Sequence, residues 1–210
     1  MSYIGKIGAA RLDPENLLDF SVAEQMAKEG FDPTVIKIRT GWEPGIDGLW
    51  RCEIPDPFMS SANIEDYVKP RFGECINISM LLKNKDILTA YPEFDNLSLY
   101  AMYSPRHGTA RYYCPATKGM VVSMGKPSDK FEYQIEGVLL HEIQHLIQGV
   151  EGFAKGGDPK TVGRRYLRLA GEVEARNICH RYTLSDEERH RTLRTATQDV
   201  PDSEQIVRFR

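Results

Sequence analysis

The segment Leu139-Leu140-His141-Glu142-Ile143-Gln144-His145-Leu146-Ile147 constrains this chain more than any other part of it. It is an H-E-x-x-H motif in a stretch free of proline. Leu139, Ile143, Leu146 and Val150 around it keep the i, i+4, i+7, i+11 spacing of a core-facing helix. On such a helix His141 and His145 project from one face, one turn apart. Two imidazoles so placed can bind one Zn2+ at about 2.0–2.1 Å. Glu142 is offset by about 100° around the helix, beside the metal but not on it, where a carboxylate can take a proton from a bound water. A fold that uses this motif must bury one side of the helix and line a cleft with the histidine side.

A catalytic zinc site needs a third protein ligand and leaves one position for water. Glu172, on a predicted second helix in Gly-Glu-Val-Glu-Ala-Arg-Asn (171–177), is the first choice. A helix–loop–helix return can bring its carboxylate back to the two histidines. Glu174 is an alternative, but it lies about 200° round the helix from Glu172, so both cannot face one ion. Glu151 is another, at the place where an H-E-x-x-H-x-x-G-x-x-H pattern carries its last histidine; here Gly149 stands one position late. The ordinary alternative for each glutamate is a solvated helix face or an ion pair with Arg164, Arg168 or Arg176. His180 is expected at the surface, with a supporting or oxyanion role as the sharper reading. His107 reads as a loop residue and His190 as part of a charged helix. Tyr166 and Tyr182 could donate to an oxyanion, although packed aromatics are the commoner outcome.

Composition narrows the class. The chain has 210 residues, 41% of them hydrophobic, which is enough for one domain with a sizeable core. A net charge of −3 argues against a general polyanion binder and against a disordered chain. No apolar run approaches the roughly 20 residues of a membrane span, and the first residues lack a signal-peptide core. A cytoplasmic location is therefore expected. Cys52, Cys75, Cys114 and Cys179 form no C-x-x-C pair and read as unpaired, mostly buried thiols.

Punctuation divides a single domain, 1–210, into an N-terminal helical section (1–40), a β-rich section (41–127) and a helical section (128–210). Asp13-Pro14 predicts a helix start, with Leu17, Leu18, Val22, Met26 and Ala27 as its apolar stripe and Gly30 as its stop. Asp32-Pro33 repeats the signal before a helix or strand through Val35, Ile36 and Ile38. Strands are predicted over 49–54 and 97–103, and a hairpin over 110–114 and 119–124. Residues 84–91 read as a helix. Ser128 can cap the H-E-x-x-H helix, which runs to about Gln148. A second helix follows over 161–182, and Ser185 to Glu188 form a capping box. Helices, then strands, then helices, without βαβ alternation, indicate an α+β domain.

Taken together, HEIQHLIQ, EGFAKGG and GEVEARN resemble the zincin-like metallopeptidase domains found within large polyvalent proteins of phages and mobile elements. TGWEPGIDGLWRCEIPD (40–56), DILTAYPEF (86–94) and TATQDVPDSEQI (195–206) extend the resemblance over most of the chain from about residue 40. It implies a zincin-like fold, with a small antiparallel or mixed sheet packed on the H-E-x-x-H helix and a second, ligand-bearing helix. It further implies Zn2+ held by His141, His145 and one glutamate of GEVEAR, with Glu142 as the catalytic carboxylate. The expected activity is peptide-bond hydrolysis on a peptide or protein substrate, with no specific nucleic acid and no membrane as partner. Strand 119–124 would be the edge that pairs with an extended substrate. The alternative is a metal-stabilised, non-catalytic protein-binding module.

Overall fold

The computed structural model describes residues 1–103, 109–114, 119–124 and 135–209. Within these it is a mixed α+β structure with two small sheets. The first section comprises β1 (Ser2–Ile4), α1 (Lys6–Leu12), α2 (Asn16–Lys28), α3 (Pro33–Thr40), β2 (Trp42–Pro44) and β3 (Trp50–Ile54). The antiparallel order β1-β3-β2 sets Tyr3 opposite Glu53 and Trp42 opposite Cys52. Next come α4 (Ser61–Val68), β4 (Cys75–Asn77), α5 (Asp86–Ala90), β5 (Ser98–Tyr103), β6 (Thr109–Cys114) and β7 (Gly119–Met124). These strands form a second sheet ordered β4-β5-β7-β6, in which β5 and β7 are parallel and the other pairs antiparallel.

The last section holds α6 (Ile135–Glu151), α7 (Pro159–Val162), α8 (Ala170–Arg181) and α9 (Asp186–Arg191). Helix α6 is central: it packs on α8, β1, β6 and α4. Its residues Leu139, Leu140, Ile143 and Ile147 are buried, with Leu146 and Val150 at the margin of the core. The two histidines are thereby left on a flank that is only part-covered.

Local chemistry explains several boundaries. Asp32 accepts from the Thr34 amide at 2.8 Å and Pro33 opens α3, which stops where Gly41 adopts φ 75°. The β-branched residues 35, 36 and 38 are thus helical. Ser185 and Glu188 form the reciprocal capping box at α9. The expected strand over 49–54, the helix before Pro92, the strand ending at Tyr103 and the antiparallel pairing of 110–114 with 119–124 all have counterparts.

Four expectations need correction. Asp13 ends α1 as its C-cap rather than starting a helix, and α2 begins at Asn16. The buried face of α2 is Phe20, Ala23 and Met26, while Leu18 is 67% and Val22 50% exposed. Phe20 decides this, because it meets Trp42 and Trp50 edge-on at centroid distances of 5.1 and 6.3 Å. The helix expected over 161–182 is broken: Gly163 at φ 59° ends α7, a 3-10 turn follows, and α8 starts only at Ala170. Strand 119–124 is not an edge, since β7 is paired on both sides and β6 is the outer strand.

The thiols are less uniformly buried than expected, with Cys179 buried, Cys52 intermediate and Cys75 exposed. Ser128 and His107 lie outside the described residues. No helix among the described residues is long and apolar enough to cross a membrane.

Candidate metal centre

Because α6 and α8 pack against each other, residues on the facing flanks of the two helices meet. His141 Nε2 and His145 Nε2 are 3.1 Å apart, with ring centroids at 4.7 Å and planes at 85°. Glu172, in the first turn of α8, completes a triangle: Oε1 is 3.4 Å from His145 Nε2 and Oε2 is 3.5 Å from His141 Nε2. Donors about 2.0–2.1 Å from a tetrahedral zinc ion lie roughly 3.3 Å from one another. The distance between the two imidazole nitrogens, and the distance from each of them to its own carboxylate oxygen, are near that length.

The protein leaves this carboxylate incompletely satisfied. Oε1 accepts from the Gly157 amide at 3.0 Å, whereas Oε2 is buried without a hydrogen-bond partner among the described residues. A buried acceptor in that state is costly, and a cation between the two imidazoles would satisfy it. The donor set of two imidazole nitrogens and one carboxylate suits zinc. Burial opposes ionisation of Glu172, but the adjacent histidines overcome it and hold the carboxyl far below the usual range. For His145, burial acts to lower the pKa, and the Glu172 carboxylate and Gln148 more than offset it. The imidazoles are 18% and 23% exposed against 3% for Glu172, so one side of the triangle stays accessible among the described residues.

Two glycines make the approach of the surrounding backbone feasible. A Cβ on Gly156 would collide with the Glu172 carboxylate and come within 2.7 Å of the His145 ring. A Cβ on Gly171 would collide with the backbone of Lys155 and Gly156. The loop after α6 therefore lies directly on the first turn of α8: a side chain at Gly171 would push it off, and one at Gly156 would displace the Glu172 carboxylate and the His145 ring.

The other sequence candidates are placed differently. Glu174 Oε2 accepts from Arg51 Nε at 2.7 Å, and its Oε1 accepts from Gln144 Nε2 and Gln148 Nε2, both at 3.0 Å. Glu151 accepts from the amides of Ile7 at 3.0 Å and Gly8 at 2.7 Å and from the Tyr91 hydroxyl at 2.6 Å, closing the start of α1. Glu142 is half-buried, and its charge acts on both His145 and Tyr166. Tyr166 faces Glu172: burial first, then that carboxylate, pushes its phenol well up. The charges that act on Tyr182 are instead those of Glu136 and Asp56. His180 and His190 are exposed.

Sequence reasoning missed Gln148, Arg51, Asp47 and the two contact glycines. Gln148 was within reach, since it follows His145 by one turn and can touch it. Arg51 and Asp47 carried no local signal for this region.

A profile of the family described as Large polyvalent protein associated domain 23 matches residues 2–62. Comparisons with curated proteins and with solved structures return no match. The match thus overlaps the GWEPGIDGLWR segment and stops well before HEIQH and GEVEARN. It supports association with large polyvalent proteins, over a different span from the one the resemblance suggested.

Proposed function

We propose that this protein is a zinc-dependent peptidase of zincin-like type, with His141, His145 and Glu172 as metal ligands and Glu142 as general base. The observation that carries the proposal is the Glu172 carboxylate between two imidazole nitrogens, its buried Oε2 without a hydrogen-bond partner among the described residues. Zinc held there would supply Lewis acidity, polarising the scissile carbonyl and bringing the pKa of a bound water toward 7.

The chain's own residues do the rest. Glu142 takes the proton of the attacking water and delivers it to the amide nitrogen as the carbon–nitrogen bond breaks. Tyr166, whose phenol is held protonated by burial and by Glu172, would be the donor to the carbonyl oxygen as negative charge develops there. The outer strand β6, packed near α6, offers a free backbone edge among the described residues for an extended peptide. A purely structural zinc site fills its fourth position with protein and has no use for a general base. The part-exposed histidines and the nearby Glu142 favour turnover over a metal-stabilised docking module.

The test is a proteome-derived peptide library incubated with zinc-loaded wild type and with Glu142→Gln. Wild type should generate new N-termini, and the variant should lose at least about 100-fold in rate while keeping its zinc. Full zinc with no cleavage by wild type would favour the docking module, and equal cleavage by both proteins would remove Glu142 from the mechanism.

A further inference from the structure

We propose that Glu174, held by Arg51, fixes the tautomer of His145 through Gln148, which makes these three residues positioning groups for the metal centre. The inference rests on the metal reading above and deepens it. Gln148 Oε1 lies 2.9 Å from His145 Nδ1. A carboxamide looks alike at its oxygen and nitrogen ends, so its partners must decide which way round it sits. Here the far end meets the Gly171 carbonyl at 2.9 Å and Glu174 Oε1 at 3.0 Å. Both are acceptors and neither can donate. The nitrogen of Gln148 must therefore face them, and its oxygen must face the imidazole. A ring nitrogen opposite an acceptor carries the proton. Nδ1 of His145 thus carries a proton, and in the neutral ring Nε2 keeps its lone pair for a cation that the Glu172 carboxylate also faces.

The chain continues outward. Glu174 Oε2 is taken by Arg51 Nε at 2.7 Å. Arg51 forks onto Asp47 at 2.5 and 2.8 Å and stacks over the Phe153 ring at 3.8 Å. Asp47 Oδ2 in turn accepts from the Ala154 amide at 2.7 Å, in the loop that brings Gly156 to the triangle. Removing Arg51 would strip a mostly buried carboxylate of its counter-charge, which is far more damaging than never having built the pair. Asp47 and Arg51 belong to the 2–62 segment matched by the polyvalent-protein family. That segment therefore supplies the outer end of the chain that orients a histidine on α6.

The experiment measures zinc affinity by chelator competition on the full chain, together with long-range proton–nitrogen correlation spectra of its metal-free form at a pH where the His145 ring is neutral. Gln148→Met removes the acceptor, and Glu174→Gln lets the Gln148 amide turn over. Each should weaken zinc binding by about 10–100-fold without changing the circular dichroism spectrum. In the wild type His145 should be Nδ1–H, and in Glu174→Gln it should become a mixture of tautomers.

Unchanged zinc affinity in both folded variants would overturn the proposal, as would an Nε2–H tautomer in the wild type. If the variants do not fold, the wild-type spectrum alone decides. A wild type that binds no zinc yet shows Nδ1–H would sink the metal reading and leave the positioning of His145 standing.

Discussion

Three glutamates are candidates for a third ligand in the sequence, and the structure gives each a different partner set. Helix phase separates Glu172 from Glu174 but cannot choose between them, because the choice depends on Arg51, more than a hundred positions away. Arg51 and the two glutamines occupy Glu174, while a buried oxygen of Glu172 has no hydrogen-bond partner among the described residues. Gly156 is equally illegible as a functional residue, since its requirement is a close approach rather than a special φ. We predict that Gly156→Ala destabilises the fold by about 1–3 kcal/mol, as overpacking does, and weakens zinc binding. Thermal unfolding and chelator competition check this, and a variant with wild-type values for both would refute the contact.

At the scale of elements, α6 ends in a residue that organises another helix. Glu151 covers the open amides at the start of α1 and accepts from Tyr91. Glu151→Ala should therefore cost about 1–3 kcal/mol, the penalty for orphaned donors, with zinc content unchanged; loss of zinc would revive it as a ligand. The other end of α6 carries a pH response. Burial, reinforced by Asp56, pushes Glu136 up to about 8. Its folded pKa is then above the unfolded one, so the proton it retains favours the fold at low pH. That contribution is complete below the unfolded pKa of about 4.3 and fades as pH rises through 8. Between pH 5.5 and 8.5 the melting temperature of wild type should therefore fall relative to that of Glu136→Gln. Parallel slopes would contradict the assignment.

Over the whole molecule, what could be read in advance was what neighbours in sequence determine. The α6 helix, the Asp32 and Ser185 caps, the β5 strand and the β6–β7 pairing all follow from spacing and turn chemistry within a few residues. The parts that could not be read depend on distant partners. Strand β1 exists because β3 and α6 receive it. The buried face of α2 is selected by two tryptophans on the first sheet. Strand β7 becomes interior only once β5 pairs along it in parallel. The chain from Asp47 through Arg51, Glu174 and Gln148 to His145 likewise spans the first sheet, α8 and α6.

The central claim is that His141, His145 and Glu172 hold one zinc ion. Elemental analysis of protein purified without chelator should find close to one zinc per chain in wild type and in Glu142→Gln. In Glu172→Ala it should find almost none. A metal-free wild type would contradict the account, as would zinc retained in Glu172→Ala but lost in Glu174→Ala.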